Sequence, residues 1–395
     1  MKQVYLDAAA ATPVDGRVLA VMRPYLARDF GNPSSIHDSG VKAKRAVETA
    51  RGGIASILGA QADEIIFTSG GTEANNLAIL GPARILGKGH IITTVIEHAS
   101  VLEPCRLLER EGWIITYLPV RNDGLVDPTE LKRALRPETI LVSIAYANNE
   151  IGVIQPLREL AKVIRHFKNV QHRVSHKVCD TRCLTPPFFH TDACQAPRFL
   201  DCRVTTLGVD MMTLNSGKIY GPKGVGCLYA RRGIKLAPLL GGGGQEQGRR
   251  SGTENVVGIV GFSAALELCV KLLEKESTQF SKLRDYFIDR LLKLPGVTLN
   301  GSRESRLPNN VNVSFAGADS EYLVLNLDAA GVACSSGSAC SAQTKDSSYV
   351  IKALGGSEAQ ARGAVRFTLG RETAKADLDY VLRILPDILK RSRVA

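Results

Sequence analysis

Residues 213–224 read TLNSGKIYGPKG. A single lysine, Lys218, follows Asn215, Ser216 and Gly217 and precedes a Tyr-Gly-Pro turn. The flanking stretches, VDMMTL and VGCLYA, are apolar runs of the kind that form buried strands. An ammonium group prefers water, so its place at the mouth of an apolar sheet asks for a chemical reason. A desolvated lysine gives up its proton more readily and becomes a nucleophile toward an aldehyde.

Upstream of the lysine, short apolar runs alternate with amphipathic stretches. Strand candidates are EIIFTSG (64–70), HIITTVIEH (90–98), WIITYLPV (113–120), TILVSIAYA (139–147) and FFHTDA (188–193). MMTLNS (211–216) and GVGCLYA (224–230) complete the set, and helical periodicity falls at 41–58 and 156–167. This alternation predicts an α/β fold with a mostly parallel sheet. After residue 254 a long helical period over 256–294 is followed by VTLNG, NVNVSF, AVRFTL and a closing helix near 375–392. That texture predicts a smaller α+β domain. The expected division is a large domain over 15–255 and a small one built from 1–14 and 256–395.

Polar residues follow the apolar strands: TSGGTEANN, EH, NNE and DACQ. Ligands of open α/β sheets bind at the carboxyl ends of the strands. Thr72, His98, Asn149, Asp192, Gln195 and Lys218 are therefore expected to converge on one crevice. TSGGTEANN is a Gly pair opening a helix, which suits an anion cradle with Thr72 adding a hydroxyl. A carboxylate at Asp192 suits a protonated pyridine nitrogen, and the flat imidazole of His98 could stack on a ring. With the Schiff-base chemistry of Lys218, the set specifies pyridoxal 5'-phosphate. Taken singly, each residue has a plainer reading: a helix cap for His98 or Asp192, a solvated lysine for Lys218.

A second cluster is ACSSGSACSAQTKDSS (333–348). Nearly everything around Cys340 is small or polar, as expected of an accessible loop thiol. Cys334 follows an apolar strand and is expected to be packed, like Cys105, Cys227 and Cys269. Arg366, inside AVRFTLG, needs an anion: a substrate carboxylate, or a structural Asp or Glu. The stretch NVQHRVSHKVCDTRCLTPP (169–187) reads as an insertion, with His172, His176, Cys179 and Cys183 as possible zinc ligands or a solvated basic loop. No metal is assigned to the site.

The 50 Lys+Arg against 39 Asp+Glu give +11, spread without a long basic block. Nine cysteines in 395 residues do not form a disulfide framework. No uninterrupted apolar run reaches the ~18 residues of a membrane span, and the N-terminal MKQVYLDAAA has no signal-peptide core. The expected setting is cytoplasmic, with no membrane partner.

The chain resembles the cysteine desulfurases of the class V aminotransferase family, pyridoxal-phosphate enzymes of fold type I, over nearly its whole length. The stretches that carry the resemblance are YLDAAAATPVD, GNPSSIH, IFTSGGTEANNLAI, IEHASVL, ANNEIGVIQP, HTDACQA, KIYGPKGVG, GGGGQEQGRRSGTENV, CSSGSACSA, SYVIKALG and VRFTLGRET. The resemblance implies that Lys218 condenses with the cofactor and moves the substrate Cα proton, while His98 stacks on the ring and serves acid–base steps. It implies that Asp192 pairs with the pyridine nitrogen and that Gln195 and Asn149 contact the phenolic side. Gly71 and Thr72 would hold the phosphate, Asn215, Ser216 and Gly217 would lie against the cofactor, and Thr253 would reach it from the partner subunit of a homodimer. Arg366, with Asn149, would bind the substrate. Cys340 would take the sulfur of L-cysteine as a persulfide, leaving L-alanine. The sulfur would pass to an acceptor such as an iron–sulfur scaffold or a tRNA-thiolation sulfur carrier. The family usually has Ser or Thr where this chain has Asn215, and His where it has Gly217. Selenocysteine lyase shares the same apparatus, and a non-catalytic RNA- or protein-interaction relative would share the fold.

Overall fold

The computed structural model describes residues 2–175, 184–337 and 347–392. The chain runs β1 (Val4–Tyr5), α1 (Gly16–Ala27), α2 (Asp38–Leu58), β2 (Ile65–Thr68), α3 (Gly71–Leu86), β3 (His90–Thr94), α4 (Ala99–Arg110), β4 (Ile114–Leu118), α5 (Pro128–Ala134), β5 (Thr139–Ser143) and α6 (Leu157–Ser175). It continues through β6 (Phe188–Asp192), α7 (Val204–Leu207), β7 (Met211–Asn215), β8 (Gly226–Ala230), α8 (Val256–Leu291), β9 (Val297–Leu299) and β10 (Asn310–Phe315). It ends with α9 (Ser320–Ala329), β11 (Val332–Ala333), α10 (Tyr349–Ala353), α11 (Glu358–Arg362), β12 (Ala364–Thr368) and α12 (Lys375–Ser392).

The large sheet has the order β2-β8-β7-β6-β5-β3-β4. Each of its strands coincides with an apolar run picked out in the sequence. β7, β6, β5, β3 and β4 pair in parallel, whereas β8 pairs antiparallel with both β7 and β2. The ten residues between β7 and β8, 216–225, are too few for the crossover a parallel pair needs, so the chain doubles back. Because β8 reverses between them, β2 and β7 point the same way. The carboxyl ends of β2, β3, β5, β6 and β7 thus share one edge of the sheet.

Both faces of this sheet are covered. One core joins it to α2, α6 and the first half of α8 through residues such as Val47, Ile54, Leu160, Phe189 and Leu266. The other joins it to α3 and α4 through Leu77, Ile79, Leu108 and Trp113. A third core is built on the antiparallel sheet β12-β10-β9, with Phe287, Val311, Val313, Phe367 and Leu385. α8 serves two cores: Ile259, Phe262 and Leu266 in the first, Phe280, Phe287 and Leu291 in the third. The division proposed at 255/256 therefore falls at the start of a helix shared by both.

By length and composition α8 could cross a membrane. Uninterrupted apolar runs do not reveal it, because its apolar residues are interspersed with small and polar ones. Half of its most apolar window is buried, and it packs against α1 and α2, so here it is a core helix.

The N-terminal strand β1 pairs in parallel with β11, and Asp7 bridges to Thr368 of β12. This pairing lays residues 8–12 across the carboxyl edge of the large sheet, where Thr12 N donates to Gly217 O at 3.1 Å.

Candidate active site

At that shared edge lies a cavity of about 160 Å³. Each strand ending there contributes: Gly71 and Thr72 after β2, His98 after β3, Asn149 after β5, Asp192 and Gln195 at and after β6, Asn215 and Lys218 at and after β7. Arg366 enters from β12, and Ala9 and Ala10 from the N-terminal segment. All six residues expected to converge from strand punctuation line this one cavity.

The turn between β2 and α3 depends on Gly70, whose φ of 150° and ψ of −173° are reached by glycine alone. It lets α3 start at Gly71, directing the first-turn N–H groups of the helix toward the cavity. A Cβ on Gly71 would lie 2.7 Å from Cys194 Sγ and 3.5 Å from Asn215 Nδ2, so the backbone is in close contact with the floor. Asn215 Oδ1 accepts from Gly217 N at 3.1 Å, while its Nδ2 lies on the Gly71 side.

Asp192 Oδ2 accepts from Asn75 Nδ2 at 2.7 Å, and its Oδ1 from Cys194 N at 2.9 Å. Asn75 is 1% exposed and also donates to Ser100 Oγ at 2.8 Å. Ser100 Oγ stands 2.8 Å from His98 Nδ1, and Ser100 N donates to the same nitrogen at 3.1 Å. Nδ1 accepts the backbone bond, so the neutral ring carries its proton on Nε2. His98 is both the N-cap of α4 and a wall of the cavity.

Lys218 ends the short 3₁₀ turn Ser216–Lys218 and is half-buried; its Nζ donates to Ala10 O at 2.5 Å. Gln195 Nε2 donates to Ala9 O at 3.0 Å. Arg366 is 2% exposed and bonds Asp7 Oδ1 through Nη2 at 2.8 Å and Asn149 O through Nη1 at 2.9 Å. Among the described residues its buried Nε has no hydrogen-bond partner. A structural carboxylate therefore neutralises the arginine, which still lines the cavity.

Other expected residues lie elsewhere. Ser216 is fully buried, and among the described residues its Oγ has no hydrogen-bond partner; it faces Gly221, where a Cβ would lie 2.1 Å from it. Ser216 and Gly217 are absent from the cavity lining, and Thr253 is exposed on this chain. Cys340, His176, Cys179 and Cys183 lie outside the described residues, as does the side chain of His172. Among the described residues no group of three or more His, Cys, Asp or Glu side chains could hold a metal ion. Cys105, Cys227, Cys269 and Cys334 are buried, and burial pushes the Cys105 and Cys269 thiols up to about 12.

Asn75, Ser100, Cys194 and Asp7 join the site without an earlier assignment. Asn75 is one helical turn beyond Gly71, Ser100 links it to His98, Cys194 packs against Gly71, and Asp7 holds Arg366. Only the i, i+4 spacing of Gly71 and Asn75 signals a shared face.

The model of the family described as aminotransferase class-V matches residues 4–176 and 183–381. The chain belongs to the aminotransferase class-V family. The matched stretches omit 177–182, inside the segment that reads as an insertion. Among curated class-V relatives, the cysteine desulfurase IscS of Dictyoglomus turgidum is 48% identical over 395 residues, covering 99% of this chain and 96% of its own. Cysteine desulfurase IscS 1 of Archaeoglobus fulgidus is 42% identical, covering 98% of this chain and 97% of its own. The fold is that of NifS-like proteins of known structure. A NifS-like protein superimposes with a TM-score of 0.89 at 35% identity, covering 99% of this chain and all of that one. SspA in complex with cysteine gives 0.78 at 36% identity, covering 93% and 99%.

Proposed function

We infer that this chain is a cysteine desulfurase, which removes sulfur from L-cysteine with pyridoxal phosphate as cofactor. The observation that carries the reading is the meeting of Lys218, Asp192, His98 and the N-terminus of α3 in one cavity. Its context is full-length similarity to curated cysteine desulfurases.

The donor set fits the cofactor. The α3 N-terminus, with Gly71, Thr72 and Asn215 Nδ2, would take the phosphate. Asp192, oriented by Asn75, would face the pyridine nitrogen, with His98 over the ring and Gln195 and Asn149 on its phenolic side. Ser216 would contribute backbone only, since its hydroxyl faces Gly221, and Gly217 likewise has only its N–H to offer. When bound, pyridoxal phosphate supplies an electron sink for the charge left at the substrate Cα.

The chain's own groups then divide the work. Arg366 orients the substrate carboxylate, and Asp7 and Asn149 hold its guanidinium. Lys218 moves the proton at the substrate Cα. Cys340 takes the γ-sulfur, so L-cysteine and one thiol give L-alanine and one persulfide, with no external reductant. The persulfide then passes to an acceptor, such as an iron–sulfur scaffold or a tRNA-thiolation sulfur carrier. The working form is a cytoplasmic homodimer, in which Thr253 reaches the site of the opposite protomer.

The test measures alanine and sulfide from L-cysteine with pyridoxal phosphate and a thiol. Cys340→Ala is expected to keep the yellow colour of the bound cofactor and lose turnover. Undiminished turnover in that variant removes Cys340 from the reaction, and a colourless wild type that takes up no cofactor removes the reading.

A further inference from the structure

The turn that opens α3 has a glycine, Gly70, at its N-cap, so no side chain caps the helix from that position. Another group fastens the turn. Glu73, in the first turn of α3, accepts from Ser69 N through Oε2 at 2.7 Å, one residue ahead of the cap. A first-turn carboxylate that reaches back to a backbone N–H ahead of it is the acidic half of a capping box, here displaced by one residue. The bond closes a ring around Gly70 and Gly71, whose conformation aims the first N–H groups of the helix at the cavity.

The same carboxylate is paired. Glu73 Oε1 accepts from Arg250 Nε at 2.8 Å, and both side chains are mostly buried, 15% and 21% exposed. Burial opposes the charge on Glu73, and the bonds from Arg250 and Ser69 outweigh it, holding the carboxyl below its usual range. Arg250 is itself held in place. Its segment is anchored to β2 by Glu246, which is 6% exposed and accepts from Phe67 N at 2.9 Å and from Arg51 Nη1 and Nη2, both at 2.7 Å. Glu246 and Gln247 adopt left-handed backbone, with φ of 49° and 60°, which persists in such residues only where the surroundings impose it. Strand β2 and residues 246–250 thus form one frame, and α3 starts within it.

We infer that Glu73 is a positioning residue for the cofactor phosphate: braced by Arg250, it fixes the turn 69–72 from outside the cavity, whose lining does not include it. The proposal rests on the pyridoxal phosphate reading. Charge and geometry act in opposite senses here. A carboxylate in the first turn repels a phosphate held at the same helix N-terminus, so on charge alone its removal would tighten binding. Arg250 offsets that repulsion, which leaves geometry to decide.

The experiment titrates cofactor-free wild type, Glu73→Ala, Glu73→Gln, Arg250→Met and the double variant Glu73→Gln/Arg250→Met. The ligands are pyridoxal phosphate and, separately, pyridoxal, which offers the same ring and aldehyde without the phosphate. Glu73→Ala is expected to weaken pyridoxal phosphate about tenfold, the scale of one hydrogen bond to a charged group, and to leave pyridoxal unchanged. Glu73→Gln keeps an acceptor for Ser69 N and is expected to recover most of that loss. Arg250→Met leaves the carboxylate uncompensated and is expected to weaken pyridoxal phosphate alone. The double variant, neutral at both positions, is expected to bind it more tightly than Arg250→Met. Inorganic phosphate, used as a competitor of pyridoxal phosphate, should follow the same order. Unchanged or tighter binding of pyridoxal phosphate in Glu73→Ala overturns the proposal, and so does a Glu73→Gln variant as weak as Glu73→Ala. An equal loss of both ligands also overturns it, since the carboxyl would then only support the fold. A wild type that binds neither pyridoxal phosphate nor pyridoxal removes the cofactor reading and this proposal with it.

Discussion

Asn75 Nδ2 lies 2.7 Å from Asp192 Oδ2 and 2.8 Å from Ser100 Oγ, which in turn meets His98 Nδ1 at 2.8 Å. One buried amide thus fixes the carboxylate at the end of β6 and, through a serine, the imidazole that follows β3, two strands away. A hydrogen bond to a charged group contributes about 1.5–3 kcal/mol, so Asn75→Ala is expected to weaken cofactor affinity about ten- to a hundredfold. Asn75→Asp should bind still more weakly, because it sets a second carboxylate against Asp192. Titration of cofactor-free protein with pyridoxal phosphate reads both, and unchanged affinity in Asn75→Ala would detach Asn75 from the site.

The reach of the sequence explains why Asp192 was legible and Asn75 was not. Asp192 interrupts an apolar run, and a charge at a strand end stands out. Asn75 sits in the first turns of a helix, where polar residues are ordinary, and only the packing of α3 against β6 and β7 buries it. Asp7 was hidden for a different reason: its link to Arg366 spans 359 residues and depends on β1 pairing with β11. The strands other than the edge strand β4 were legible because nearly every residue in them is buried, but the direction of β8 needed the length of its connection as well.

Gly217 stands where the resembling family usually has histidine. A Cβ there would meet nothing closer than Lys223 Cγ at 3.4 Å, with Asn215 Oδ1 at 3.7 Å. Those are ordinary contacts, so the turn has room for a side chain. Gly217→His is expected to raise cofactor affinity severalfold, read by the same titration. Weaker binding would show that this turn is built around glycine.

Glu97 is buried beside His98, and its carboxyl accepts from Ala145 N at 3.0 Å and from the Thr94 hydroxyl at 2.8 Å. Burial raises its pKa to about 8, against the lowering effect of these bonds. The folded protein therefore keeps a proton that the unfolded chain has lost above the ordinary glutamic-acid range. Its contribution to stability is complete below that range and is lost as pH rises through about 8. The slope is about 1.4 kcal/mol per pH unit. Buried His90 and His190, both lowered to about 4, act in the opposite sense, but only below the ordinary histidine pKa. Urea unfolding of cofactor-free protein between pH ~6.5 and ~8 isolates Glu97 from them. Wild type is expected to lose stability across that window, and Glu97→Gln to lose markedly less. Equal slopes would show that Glu97 is ionised in the fold.

Gly71 and Cys194 leave no room for a side chain between them. A methyl at 71 would stand 2.7 Å from Cys194 Sγ, and the thiol, on a single rotatable bond and 9% exposed, has little space to withdraw. Gly71→Ala must then shift the first turn of α3 or the chain after Asp192, at about 1–3 kcal/mol. Either movement displaces the N–H groups expected to hold phosphate, so cofactor affinity should fall about ten- to a hundredfold. Cys194→Ala removes the obstructing sulfur and, because the thiol also hydrogen-bonds Asp192, is measured alone as well. The double variant Gly71→Ala/Cys194→Ala is therefore expected to bind pyridoxal phosphate more tightly than Gly71→Ala alone. That recovery is specific to the contact: a glycine needed only for its backbone would leave the double variant as weak as the single one.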